Sequence, residues 1–386
     1  LLTRTADPRT RRAPSARRAE PRAVRSSSLY LLVALLVVLN LVGVVMVLSA
    51  SSVLSIHEFH NPWHYFERQV LWLVVGTLAF IAALRTDYQR WRRLARPALL
   101  ATLLLLGAVL VPGVGVSVNG ATRWVGISFL QIQPSELAKL ALVLFAADVL
   151  DRRAERGERG EWWYQIRPVL VAFGFLAVAI IAQPDMGTTL VLAFVMIAML
   201  FMAGLPMRPL FVMFGIGAAG SLLLALEAPY RWRRMTSFLH PLAHARDSGY
   251  QASQALGAMA HGHLTGDGIG ASAASWGWLP NAQTDFIFAI IGEETGLVGT
   301  VLLSALFLGV ALVGIRIACR ARDRFGGLLA GGITAWIVGQ ALINIAAVVG
   351  LLPVTGVPLP FVSFGGSSLV IALLAAGILG NIARRS

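Results

Sequence analysis

Charge and sulfur are what this chain has least of. Only 13% of its 386 residues are charged, against 57% hydrophobic, where a soluble domain carries roughly 25% charged residues. That scarcity excludes the two or three soluble domains that length alone would suggest. A single cysteine, Cys319, excludes an internal disulfide and a cysteine-rich metal site. Acidic residues are also few, 19 against 32 basic ones, which leaves a net charge of +13. So basic a chain first suggests nucleic acid, but basic residues in the cytoplasmic loops of a membrane protein account for it better, and no nucleic-acid partner is expected. Tandem repeats are absent, and so is low-complexity sequence after residue 28.

What the sequence does have is long apolar runs without a polar face every 3.6 residues, the pattern of helices inside a bilayer. They lie near 29–50, 69–84, 97–112, 134–150, 168–183, 187–204, 209–226, 286–317, 327–352 and 367–383. The expected fold is therefore an all-α integral membrane bundle of about ten transmembrane helices. Residues 1–28, rich in Arg, Pro, Ser and Ala, read as a disordered basic cytoplasmic tail. They are not a cleaved signal peptide, because the apolar run that follows is long enough to span. Residues 29–386 form the membrane domain.

Charge tests the count. With the N-terminus inside and strict alternation, the basic residues outside are Arg68, Arg123, Arg231, Arg233, Arg234 and Arg246, and Lys139 lies within a span. All others fall inside, as the positive-inside rule demands, and both termini come out cytoplasmic. Two outer loops remain, 113–133 and the long 227–285 between helices 7 and 8. The second contains aromatics and short apolar stretches, so it is expected to be ordered.

Ionisable residues in spans cost ~2.5–3.5 kcal/mol on insertion scales and call for a reason. Glu136 and Lys139 stand at i and i+3 on one helical face and can pair; the pair either fixes a helix interface or lines a polar cavity. Asp185 follows Gln183-Pro184 at a tight outer turn, as a helix cap or as a functional acid. Asp285 ends the long outer loop just before the apolar run from Phe286, at the outer headgroup boundary. Partial desolvation raises the proton affinity of a carboxylate, which suits a general base; the plainer reading is that Thr284 or Asp285 caps span eight. Glu293 and Glu294, two turns further on, are expected to face a cavity or a partner helix. Gly266-Asp267-Gly268-Ile269-Gly270 lacks the strand-to-helix setting of a phosphate loop. His261 and His263 are too few for a metal site. Arg231, Arg233 and Arg234 with Trp232 form an interfacial anchor or a diphosphate clamp.

These segments resemble the SEDS (shape, elongation, division and sporulation) proteins, the FtsW/RodA/SpoVE group. The likeness rests on Asn119-Gly120-Ala121-Thr122-Arg123-Trp124, Gln133-Pro134-Ser135-Glu136-Leu137-Ala138-Lys139 and Gln183-Pro184-Asp185-Met186-Gly187. It continues with Tyr250-Gln251 and Gln254, with Leu279-Pro280 and Thr284-Asp285-Phe286, and with Gly292-Glu293-Glu294. Leu352-Pro353-Val354-Thr355-Gly356 through Pro360, Ser363 and Gly365 to Ser368 completes it. The match runs in order from about residue 30 to 383 and is closer to the division and sporulation branch, FtsW-like, than to RodA.

The resemblance implies a peptidoglycan glycosyltransferase in the bacterial cytoplasmic membrane that joins lipid II and nascent glycan in the outer leaflet. It places the essential carboxylate on Asp285, a sensitive loop tryptophan on Trp124, the polar cavity pair on Glu136 and Lys139, the outer-turn acid on Asp185, and a further site residue on Ser363. A class B penicillin-binding protein (a single-span transpeptidase) and other divisome or elongasome membrane proteins are the implied partners. Many division members carry Lys where Ser275 stands and His where Gln283 stands. Diphosphate recognition therefore shifts to Arg123 and Lys139, with a bound Mg²⁺ or Mn²⁺ as the other source of positive charge. No cofactor beyond that cation is expected. A lipid II flippase and a non-catalytic scaffold are the competing functions.

Overall fold

The computed structural model describes residues 22–118, 121–127, 130–155, 162–226, 237–238, 243, 245 and 249–386. Most of the expected tail, and Arg231, Trp232, Arg233, Arg234 and Arg246, lie outside the described residues. Ten helices of 17 to 38 residues dominate the rest. They are α1 (Arg22–Phe59), α2 (His64–Arg85), α3 (Tyr88–Val109), α4 (Pro134–Glu155), α5 (Trp162–Ile181), α6 (Met186–Met202) and α7 (Met207–Leu226). A shorter α8 (Tyr250–His261) precedes α9 (Ile287–Arg320), α10 (Arg324–Val348) and α11 (Gly366–Arg385). The last α1 residues of the tail thus belong to a helix: α1 starts at Arg22, seven residues before the apolar run.

Six of these helices, α1, α2, α5, α9, α10 and α11, are long and apolar enough to cross a membrane. The apolar stretches of α6 and α7 are shorter. α3 and α4 differ because charge sits within them, four arginines early in α3 and Glu136, Lys139, Asp148 and Asp151 in α4.

Side-chain contacts relate the ends of six of the helices. One end of the bundle is rich in arginine. There Arg385 pairs with Asp87 at 2.7 Å, Asn381 donates to Leu84 O at 2.7 Å, and the Tyr88 hydroxyl donates to Asp323 at 2.6 Å. Arg92 bridges Asp148 and Asp151, and Arg324 reaches Ala203 O. The ends of α2, α4, α6 and α11 and the starts of α3 and α10 therefore meet on one side, which is what alternating directions require of these six helices.

Small residues set the closest contacts. α2 and α11 lie parallel: a Cβ on Gly377 would stand 2.4 Å from Phe80 O, and one on Gly76 would stand 2.5 Å from the Leu373 side chain. Only glycine lets two helix backbones come so near.

Two features depart from the sequence reading. The loop after α3 is not helical or irregular but a three-stranded antiparallel sheet in the order β1 (Gly115–Val118), β2 (Ala121–Ile127), β3 (Leu130–Ile132). Val125 pairs with Gly115 on one side and Ile132 on the other. The fold is thus mostly, not wholly, helical. The segment expected as span eight is broken at Gly296 (φ 65°, ψ −163°), which divides α9 into a short first part and a long second part. The break falls directly after Glu293, Glu294 and Thr295, which interrupt the apolar run. The long loop is ordered from residue 249, with α8 and a 3₁₀ turn at Ala274–Trp276.

Candidate functional site

The sequence motifs converge at the end opposite the arginines, around the segment 353–366 that links α10 to α11. Asp285 is half-buried there. Its backbone oxygen accepts from Asn344 Nδ2 at 2.8 Å, and the same amide donates to Val357 O at 2.7 Å. One residue earlier, Ser363 Oγ donates to Thr284 O at 2.6 Å while accepting from Leu359 N–H at 2.8 Å. Phe364 N–H donates to Gln283 O at 2.9 Å. Three consecutive backbone oxygens before α9 are therefore held from one side. Gly356 (φ +70°) neighbours the carboxylate: a Cβ there would be in ordinary contact with Asp285 Oδ2, at 3.6 Å.

The cap reading of Asp285 does not hold. The N-cap position of α9 falls on Phe286, whose side chain makes no cap hydrogen bond. Asp185, by contrast, is a cap: its carboxylate accepts from Thr188 N–H at 3.1 Å and Thr188 Oγ1 at 2.8 Å. It also accepts from Gln133 Nε2 and Ser135 Oγ, both at 3.4 Å, which ties the α6 start to the α4 start. Gly187 then presses this turn onto Thr355 and Val357 of the linking segment.

Glu136 and Lys139 pair at 2.8 Å, with Lys139 fully buried. Lys139 Nζ also donates to Gln340 Oε1 at 2.7 Å and lies 5.3 Å from the Trp336 ring centroid. Gln340 accepts a further bond from Trp336 Nε1 (2.9 Å) and donates to Pro358 O (2.8 Å). The pair thus fixes an interface between α4 and α10, and Glu136 in addition lines a narrow pocket with Trp336, Gln340, Pro358, Ser363 and Ser368. Both readings of the pair describe part of what it does.

Arg123 stands half-buried on β2 and donates from Nε to Gln183 O at 3.1 Å and from a terminal nitrogen to Pro184 O. Trp124, also half-buried, lies opposite Val116 in the sheet. The sheet is thereby attached to the α5–α6 turn that carries Asp185. Of the seven residues singled out, Asp285, Arg123 and Trp124 retain partial exposure, whereas Glu136, Lys139, Asp185 and Ser363 are buried. Ser363 serves as a backbone clamp.

Sequence reasoning missed Gln340 and Asn344. Their signal was present: two carboxamides one helical turn apart in an otherwise apolar span, where a polar side chain needs a partner. At the same end Gln69 Oε1, Gln183 Oε1, Asn344 Oδ1 and Thr355 Oγ1 are buried without a protein partner, and buried polar atoms of this kind call for a water or a ligand group. Among the described residues no three His, Cys, Asp or Glu side chains converge on a common point. A Mg²⁺ shared with substrate phosphates needs only one or two carboxylates, and Asp285 is the half-buried carboxylate at this end that could supply one.

Fold and site together define a multi-pass membrane protein in which Asp285, Asp185 and Arg123 lie toward the end of the bundle opposite the arginine-rich one. The chain belongs to the cell cycle protein family of FtsW, RodA and SpoVE, whose model matches residues 29–386. It is 41% identical over 358 residues to the probable peptidoglycan glycosyltransferase FtsW of Mycobacterium tuberculosis, covering 93% of this chain and 68% of that protein. It is 40% identical over 357 residues to stage V sporulation protein E of Bacillus subtilis, covering 92% and 97%. Among solved structures, the rod shape determining protein RodA of Thermus thermophilus matches with a TM-score of 0.67 at 28% identity, covering 92% and 95%. A chain from a peptidoglycan synthase complex, solved to explain how polymerization and crosslinking are coordinated, matches with a TM-score of 0.74 at 28% identity, covering 92% and 96%.

Proposed function

We propose that this peptidoglycan glycosyltransferase polymerises lipid II into glycan strands at the outer face of the bacterial cytoplasmic membrane, with Asp285 as general base. The observation that carries the assignment is the setting of Asp285. It is a partly exposed carboxylate whose backbone is clamped by Asn344 and Ser363, at the end of the bundle away from the arginines.

Sidedness follows from the positive-inside rule. The arginine-rich end faces the cytoplasm, the ten long helices cross the membrane, and both chain ends lie inside. The loops 113–133 and 227–285 then lie outside, between helices three and four and helices seven and eight. The alternating helix directions support this arrangement. Gln69 reaches Ser363 O at 3.4 Å, five residues from the start of α2, a distance of about 8 Å at the helical rise. Asp285 accordingly lies slightly below the outer rim, within reach of a membrane-tethered sugar.

In the reaction, Asp285 takes the proton of the acceptor sugar hydroxyl as its oxygen attacks the donor anomeric carbon. The new C–O bond forms with inversion, and the bond to the lipid diphosphate breaks. One carboxylate suffices, because the diphosphate departs without a general acid, in contrast to the paired acids of glycoside hydrolases, one of which protonates the leaving oxygen. The departing diphosphate needs charge neutralisation. Lys139 is enclosed and shared between Glu136 and Gln340, so this task falls to Arg123, whose guanidinium has donors beyond the two bonds it makes. A divalent cation accompanying the diphosphate would share the load. A crosslinking transpeptidase, the class B penicillin-binding protein, is the partner that suits such a polymerase.

Reconstituted protein with labelled lipid II tests the assignment. Glycan polymer is expected. Lipid translocation without polymer would identify a flippase, and neither activity would identify a scaffold.

A further inference from the structure

Two carboxylates that the reaction does not use, Glu293 and Glu294, lie two turns into α9 and are almost wholly buried. Among the described residues neither forms an ion pair, so hydrogen bonds must compensate a costly burial. Glu293 accepts three of them from one short stretch of the outer loop. Ser272 Oγ and Ala274 N–H (3.3 Å) donate to Oε2, and Ala273 N–H donates to Oε1 at 3.1 Å. Two successive backbone N–H groups and a hydroxyl make a concave seat for an anion, and here the anion is a side chain from twenty residues downstream.

The backbone follows the same path. Asp267 N–H donates to Glu293 O at 3.1 Å and Gly268 N–H to Glu294 O at 3.0 Å. Gly262 fits so tightly that a Cβ there would stand 2.0 Å from Gly292 O. Glu294 fastens the same stretch to α1 through Ser49 Oγ at 2.5 Å. The break at Gly296 separates residues 287–295 from the long helix below, so these bonds, with the core packing of Ile287–Ile291, set the position of this stretch.

Asp285 lies inside the loop that Glu293 closes, between Ser272 and residue 293. The loop is braced within by Leu279 N–H on Ala274 O (3.2 Å) and by Thr284 N–H on Asn281 O (3.1 Å). We propose that Glu293 is a positioning residue for Asp285: its carboxylate locks the turn Ser272–Trp276 onto the start of α9 and so holds the loop that carries the base. This rests on the reading of Asp285 as base. Asn344 and Ser363 grip the backbone of that loop from the α10–α11 side, and Glu293 grips it from the other.

Glu293→Gln tests the idea, because it keeps the shape but turns an amide N–H₂ toward groups that are themselves donors. The variant is compared with wild type in polymerisation of labelled lipid II and in amide exchange over residues 268–286. The expected result is a fall in kcat of about 100-fold, the scale of a small displacement at a reacting centre, with KM within about threefold. Exchange should quicken in that loop and stay unchanged in α10 and α11. Glu293→Asp, which keeps the charge, should recover part of the rate. Ser272→Ala removes one donor of three and gives the same pattern in milder form, which decides the matter should Glu293→Gln not fold. Unchanged kcat, or lowered kcat with unchanged loop exchange, overturns the proposal. Failure of the base reading shows separately: Asp285→Asn would then polymerise normally, whatever the exchange data say of Glu293.

Discussion

Lys139 is the only lysine in the chain, and it is fully enclosed. Its ammonium is balanced by Glu136, Gln340 and the face of Trp336. Removing one member of a buried pair leaves an uncompensated charge, at a cost of about 3–5 kcal/mol, whereas replacing both is often nearly neutral. Glu136→Gln and Lys139→Met should each lower the unfolding midpoint in detergent by an amount of that order, and the double variant should recover most of the loss. The pairing itself was legible, since spacing alone put both groups on one face. What the spacing left out was Gln340, which belongs to a helix two hundred residues away and joins the pair only through tertiary packing. Ser363 was legible as a site residue by resemblance, yet its work, holding Thr284 O and Leu359 N–H, depends on a loop geometry that no local pattern encodes.

Helices were the most legible elements, because a bilayer-length apolar run has few other solutions. The sheet at 115–132 was not, since its strands run only three to seven residues with a register shift between Val116 and Ser117. Glycines make a test at this scale. Gly377 carries the parallel contact between α2 and α11, where an added Cβ would meet Phe80 O at 2.4 Å, while Gly107 in α3 has nothing within 4 Å of that position. Gly377→Ala should destabilise by about 1–3 kcal/mol through overpacking. Gly107→Ala should raise stability by up to about 1 kcal/mol, because alanine favours the helix over glycine. Thermal unfolding of the two variants side by side gives opposite signs if the contact is as described.

For the molecule as a whole, the distribution of arginine led to an expected alternation of helices, and the contacts at the arginine-rich end bring the ends of α2, α4, α6 and α11 together with the starts of α3 and α10. It also led to the expectation that Asp285, Trp124, Asp185 and Ser363 lie at the outer end. A flippase needs polar groups along the whole depth of its path; here the buried Glu136–Lys139 pair is bound to Gln340, and Asp148 and Asp151 at the arginine-rich end are bound to Arg92. Which side chains face the substrate was less legible. Resemblance named seven residues alike, and burial separates the three at the surface from the four that hold the scaffold together. The most direct measurement is therefore strand growth from labelled lipid II by purified wild type and Asp285→Asn, with lipid II binding and unfolding midpoint followed in parallel. A general base contributes roughly 10²–10⁴-fold, so the account predicts that the Asn variant binds and unfolds as wild type does while its polymer falls by at least about a hundredfold. An Asn variant that extends glycan at the wild-type rate would contradict it.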